Sequence, residues 1–323
     1  MACYNAERYV GEAISSLLYQ TFSDFELIIV DDASTDSSAS IAKQFAEKDP
    51  RIQVHVMPAN SGPAVARNAA IQIATGEWLA VLDADDVSLP QRLEAEVAYV
   101  DSHPRTVLVG SGFIEIDAGG KSLRAHMYPE PGKKYNRYVR RTGCFPPHSS
   151  CLYHKATVES LGGFNPRFRR SQDADLWFRL LLSGEIAALP MPLVKIRKHE
   201  DCISNDARGQ TQTLFGIAAR VCHFTRVQGV PDPSRQSDTD WEDFMEWLAA
   251  RVEQRGVFEQ KQDWVDLRRA YYSSSNEVVR GYRLLKGLVG SRYGLRILLK
   301  KYFGWSLPSE LANEWIQRQC AVS

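Results

Sequence analysis

The sequence lacks any apolar run approaching the roughly 20 residues of a membrane span. Its first twenty residues carry Asn5, Glu7, Arg8 and Glu12 where a secretion signal would be apolar. The expectation is a cytoplasmic protein, neither secreted nor bilayer-spanning. No Gly-x-Gly-x-x-Gly links a strand to a helix, which argues against a dinucleotide-binding oxidoreductase. Charge of either sign is not in excess. Lys+Arg and Asp+Glu each total 39 in 323 residues, so the whole chain offers no argument for nucleic acid, and any basic surface must be local. The six cysteines, Cys3, Cys144, Cys151, Cys202, Cys222 and Cys320, form no Cys-x-x-Cys pair. That spacing speaks against a zinc ribbon, a redox motif or a disulfide scaffold and fits a reducing compartment.

What is present is organised around residues 79 to 86, which read Leu79, Ala80, Val81, Leu82, Asp83, Ala84, Asp85, Asp86. An apolar run of strand length that stops in three carboxylates is a buried strand delivering acids to a sheet edge, where ligands bind. Carboxylates this crowded repel one another unless a cation or a bank of donors compensates, and such oxygen ligands suit Mg²⁺ or Mn²⁺. A lone Asp after a strand is better explained as the cap of the next helix. Asp83 turns the balance toward a metal or phosphate site.

Along the chain, Val10, Ala13, Ile14, Leu17 and Leu18 recur at helical spacing. A strand over 25 to 30 then ends in Asp31 and Asp32. A helix through Ile41, Ala42 and Phe45 follows, then a strand over 52 to 56, a turn at Asn60, Ser61, Gly62 and Pro63, and a helix over 65 to 74. Another helix follows Pro90, and a strand covers 107 to 109. This alternation predicts a doubly wound, largely parallel α/β sheet with ligands at the carboxyl ends of its strands. Residues 1 to 5 pass almost directly into the first helix, so no leading strand is expected.

Residues 117 to 148, rich in Gly, Pro, Lys and Arg, read as loops over the cleft. A strand over 149 to 153, a helix begun by Asp173 and an extended run over 186 to 197 complete the first part. The predicted boundaries are a catalytic domain over 1–206 and a helical extension over 207–323, with 231 to 240 as a linker. Residues 280 to 301 carry Arg280, Arg283, Lys286, Arg292, Arg296, Lys300 and Lys301 without an acid. Such a stretch suits an anionic membrane surface or, equally, the solvated edge of a helical bundle.

Taken together, Tyr4, Asn5, Ala6, Glu7, Arg8 and Tyr9; Gln20, Thr21 and Phe22; Val30, Asp31, Asp32, Ala33, Ser34, Thr35 and Asp36; Asn60, Ser61 and Gly62; Ala66, Arg67 and Asn68; Gly76 and Glu77; and Asp83, Ala84, Asp85 and Asp86 resemble a family 2 glycosyltransferase of the GT-A fold. The resemblance covers roughly the first 205 residues and not the C-terminal third. Members of that family have an apolar strand before the Tyr-Asn segment. Its absence here implies a start assigned too late or a truncated chain.

The resemblance implies an inverting transfer of a sugar from a nucleotide-diphosphate sugar to a glycan or lipid-linked acceptor, in cell-surface polysaccharide synthesis. It implies nucleotide contacts from Ala6, Glu7, Asp32, Arg67 and Asp83, and a Mn²⁺ or Mg²⁺ ion on Asp85 with His199 as a further ligand. Gln172, Asp173, Ala174, Asp175, Leu176 and Trp177 resemble the acidic motif at a helix start. Asp173 is implied to be the general base, with His148, Gln172 and Trp177 on the acceptor side. Read alone, Asp173 is equally a helix cap, Asp31 a turn cap, Arg67 a solvated helix residue, and His148 or His199 a structural histidine. A metal-dependent phosphatase with a nucleophilic Asp and a non-catalytic sugar-nucleotide-binding or partner-binding protein are the alternatives. No nucleic-acid partner is expected, and the implied location is the cytoplasm, peripheral at the inner membrane.

Overall fold

A computed structural model describes residues 1–128, 133–200, 210–259 and 306–322. The chain divides into two compact units, Met1–Cys202 and Ile203–Ser323.

The first unit opens with a three-stranded parallel sheet. Strands β1 (Ala2–Cys3), β2 (Leu27–Asp31) and β3 (Ile52–Val56) lie in that order. They alternate in the chain with helices α1 (Val10–Leu18), α2 (Ser38–Ala46) and α3 (Pro63–Ile73). Successive side chains of a strand point to opposite faces. Leu27 and Ile29 therefore pack with Val10, Ala13, Ile14, Leu17 and Ala42, while Ile28 and Val30 pack against Ala66 of α3. Every residue of β2 is buried, as a strand covered on both faces requires. The expectation that no strand precedes the first helix does not hold. Ala2 and Cys3 pair in parallel with Val30 and Asp31, an element too short to show any period in the sequence.

The second sheet is mixed. Strands β4 (Trp78–Ala80), β5 (Val87–Ser88), β6 (Thr106–Asp117), β7 (Ser122–His126), β8 (Leu152–His154) and β9 (Glu185–Lys198) order as β4-β8-β6-β9-β5, with β7 on β6. Only the β6–β9 pairing is parallel. The α/β alternation thus holds through β3, and antiparallel pairing takes over where β8 inserts between β4 and β6. A register shift in the β6–β9 pairing accommodates Pro190 and Pro192, which cannot donate to a regular ladder. Helices α4 (Arg92–Ser102), α5 (Lys133–Thr142), α6 (Lys155–Ser160) and α7 (Gln172–Ser183) complete the unit.

Three further expectations change. Residues 117 to 148 are not loops alone: they hold β7 and α5. Strand β4 is short and half-buried, not buried, and the burial falls instead on Leu82 and Ala84 beyond its end. The stretch from 231 to 240 is an ordered corner, not a linker. Asp232 caps a 3₁₀ turn at Pro233–Arg235 and accepts from Arg226 at 2.6 Å, and Ser237 and Asp240 form a capping box.

In the second unit the described helices are α8 (Gln210–Val227), α9 (Asp238–Gln254) and α10 (Leu307–Val322). Trp241, Phe244 and Leu248 on α9 and Trp315 on α10 are buried, with Phe244 and Trp315 edge to face at 5.0 Å. The basic stretch 280 to 301 lies outside the described residues. No described helix is long and apolar enough to cross a membrane.

Candidate active site

The acidic turn is built by alternation. Leu82 and Ala84 insert into the core under the first sheet, at 2% and 7% exposure, so Asp83 and Asp85 project from the opposite side of the chain. The Asp86 N–H donates to the Asp83 carbonyl at 3.1 Å and closes a four-residue turn. Asp86 itself is buried. It accepts from Ser149 Oγ at 2.5 Å and from the Arg197 backbone N–H at 2.8 Å. Ser149 Oγ also accepts from the Asp83 N–H at 3.1 Å, so one hydroxyl pins both ends of the turn. Arg197, from the end of β9, adds a bond to the Asp85 carbonyl at 2.9 Å and one to Glu12 at 2.6 Å, with its guanidinium over Tyr9. Neither Ser149 nor Arg197 carried a local sequence signal, because the contacts span 63 and 111 positions.

Arg67 on α3 joins two parts of the expected site. Its guanidinium donates to Asp83 Oδ1 at 2.8 Å and to Gln172 Oε1, at the start of α7, at 2.7 Å. Burial works against the Asp83 charge, but the Arg67 guanidinium, by its charge and its hydrogen bond, outweighs it and holds the carboxyl at about 2. Asp173 follows Gln172 and is half-buried. Its Oδ1 accepts from the Ala174 N–H at 2.8 Å, and Ser171, at φ 54°, takes the N-cap position, so Asp173 is not the cap. Burial pushes its carboxyl up. Asp175, in the same turn, is consumed by a buried pair with Arg179 at 2.7 Å.

Asp85 Oδ2 lies 3.0 Å from His199 Nε2, and the His199 ring packs on Tyr9 at 4.9 Å. Burial and the neighbouring Asp83 charge raise the Asp85 carboxyl. Among the described residues no group of three His, Cys, Asp or Glu side chains is placed to hold a metal ion. The Asp85–His199 pair nonetheless fits one. A desolvated carboxylate beside a second acid is a place where added positive charge is favourable, and substrate oxygens would complete the shell, as Mg²⁺ and Mn²⁺ commonly require.

The remaining expected residues lie elsewhere. Asp32, buried at the end of β2, accepts from the Ser61 and Gly62 N–H groups, both at 2.8 Å. It thereby fixes the loop that opens α3 and, through α3, the position of Arg67; Gly62 there has φ 89°, which favours glycine. Ala6 donates its N–H to Ser38 Oγ at 2.7 Å, and Glu7 Oε2 accepts from the Ser37 N–H at 2.9 Å, tying residues 5 to 7 to the start of α2. Asp31 is a turn acceptor for Ser34. His148 is buried beside Tyr153. Trp177 is buried too, stacked on Phe145 at 5.1 Å.

Comparisons with known proteins place the chain in a family. The family model described as Glycosyl transferase family 2 matches residues 1–162. EpsE of Bacillus subtilis is 34% identical over 209 residues, 62% of this chain and 72% of that protein. The amylovoran biosynthesis glycosyltransferase AmsE of Erwinia amylovora is 30% identical over 213 residues, 65% of this chain and 78% of that protein. Among solved structures, S. aureus TarS 1-349 in complex with UDP-GlcNAc superposes with a TM-score of 0.61 at 19% identity, covering 91% of this chain and 79% of that one. That likeness speaks for a shared fold.

Proposed function

The chain belongs to glycosyl transferase family 2 and is a glycosyltransferase of the GT-A fold, and on that premise we propose how its site works. It moves a sugar, with inversion, from a nucleotide-diphosphate sugar to a hydroxyl of a glycan or lipid-linked acceptor in cell-surface polysaccharide synthesis. The reading draws support from relatives such as AmsE and the O-antigen biosynthesis glycosyltransferase WbnJ of Escherichia coli. The observation that carries the mechanism is the Arg67 bridge, because it brings the Asp-x-Asp turn and the helix that begins at Gln172 and Asp173 to one place.

On this reading Asp173 takes the proton of the acceptor hydroxyl as that oxygen attacks the anomeric carbon. The bond to the diphosphate breaks on the opposite face and the electron pair leaves with the diphosphate, which inverts the centre. Family members generally use a divalent metal. Asp85 and His199 would hold a Mn²⁺ or Mg²⁺ ion, which when bound neutralises the leaving diphosphate. Asp83 faces the nucleotide, kept ionised by Arg67. Ala6, Glu7 and Asp32 shape the nucleotide pocket, Asp32 by fixing the loop at 61 and 62. Gln172 and Trp177 belong to the acceptor side.

Incubation with UDP- and GDP-sugars and Mn²⁺, followed by nucleoside diphosphate release, tests this. Metal-dependent release abolished by Asp85→Ala and by Asp173→Asn is the expected result. Turnover that survives Asp173→Asn removes the base assignment, and a phosphatase would release inorganic phosphate instead.

A further inference from the structure

His148 is 8% exposed and its two ring nitrogens have different fates. Nδ1 lies 3.1 Å from Tyr153 Oη, whereas Nε2 is buried with no hydrogen-bond partner among the described residues. The Tyr153 hydroxyl also sits 2.9 Å from Trp177 Nε1. An indole N–H can only donate, so the phenol oxygen accepts from Trp177 and has its own hydrogen left to give. The acceptors within reach are His148 Nδ1 and Cys151 Sγ. An imidazole nitrogen is a much stronger acceptor than a thiol sulfur, which accepts only weakly. The chain therefore runs from Trp177 through Tyr153 to His148 Nδ1, which puts the neutral imidazole's hydrogen on Nε2.

A buried N–H with nothing to donate to is costly, so its retention points to a ligand. The ring stands edge-on to Phe164 at 5.6 Å, the same ring that Arg67 covers at 5.6 Å. The charged groups that act on it are Arg67, Asp83, Arg92 and the Met1 amino group. Burial, with Arg67, Arg92 and the amino group opposing Asp83, holds the ring neutral, at about 3. An uncharged, rigid donor beside aromatic edges suits a sugar hydroxyl oxygen.

We propose that the Trp177–Tyr153 relay fixes His148 as the Nε2–H tautomer and that this N–H, close to Arg67 and Asp83 on the nucleotide side and not on the acceptor side expected from the sequence, donates to a hydroxyl of the donor sugar, with Tyr153 as a positioning residue. The assignment of the ligand rests on the transferase reading; the tautomer does not.

Two measurements separate these. Long-range ¹H–¹⁵N correlation on protein labelled in its histidine rings, with His148 identified by its loss in His148→Phe, reports the tautomer without substrate. A proton on Nε2 that persists from pH 7.5 to 5, and is lost to tautomer averaging in Tyr153→Phe, is expected. A proton on Nδ1, or titration near 6.5, overturns the relay.

In the second measurement, UDP-glucose, UDP-N-acetylglucosamine and GDP-mannose are each compared with the free diphosphate. His148→Phe should raise the KM of the sugar nucleotide that turns over about tenfold while inhibition by free diphosphate stays within about twofold, and His148→Gln, which keeps an N–H, should recover part of the loss. Equal weakening of both ligands, or no change in either, overturns the sugar contact. Absence of release from all three by the wild-type protein counts against the transferase reading, and the tautomer readout then decides the relay alone.

Discussion

Replacing Arg67 by methionine keeps an unbranched apolar stem and removes the charge and both of its hydrogen bonds. Those bonds, at 2.8 Å to Asp83 and 2.7 Å to Gln172, are charge-assisted. Each such bond contributes about 1.5–3 kcal/mol when protected from water. Arg67 and Asp83 are 16% and 33% exposed, so solvent screens the Asp83 arm and places it at or below the bottom of that range. Arg67→Met should therefore lose about 2–3 kcal/mol in urea denaturation. Combined with Asp83→Asn in a double-mutant cycle, the coupling should be about 1–2 kcal/mol. Kinetics distinguishes a strut from a simple nucleotide contact. If Arg67 holds the α7 start in place, kcat falls along with KM rising, and Gln172→Leu reproduces part of the kcat loss without touching the nucleotide side. A coupling below about 0.3 kcal/mol, or a Gln172→Leu enzyme with unchanged kcat, would refute the strut.

Two other outcomes follow. Because burial raises the Asp173 carboxyl, the base takes up its proton at a higher pH than a free Asp would. Turnover should fall with decreasing pH through that raised value, and Asp173→Asn, about 10²–10⁴-fold slower, should lose this limb; a rate flat to pH 4 counts against Asp173 as base. For the basic stretch 280 to 301, flotation with vesicles containing anionic lipid should recover the full chain and not a chain with those seven basic residues changed to glutamine. Equal flotation removes the membrane role.

Features carried by local pattern were legible in the sequence. The projection of Asp83 and Asp85 follows from their alternation with Leu82 and Ala84, and the both-faces burial of β2 from its unbroken apolar run. The buried face of α1 follows from the spacing of Val10, Ala13, Ile14 and Leu17. Elements without a period were not legible. Strand β1 has two residues, and β7 exists through pairing with β6, which no window around residues 122 to 126 reveals.

By itself, then, the sequence determined the family, the α/β class and the chemical inventory of carboxylates, because motifs and periodicity are short-range properties of the chain. Only the tertiary structure decided what each group does. It turned Asp32 into the clamp of a loop, gave Asp175 to Arg179 and left Asp173 as the acid available in that turn. It set His199 on Asp85 across 114 positions and joined Asp83 to Gln172 through Arg67. It also joined Trp177, Tyr153 and His148 in one chain and left His148 Nε2 without a hydrogen-bond partner among the described residues. Hydrogen-bond partners of a buried polar group are chosen by whichever groups the packed core brings within about 3 Å, and that choice is absent from any local stretch of the chain.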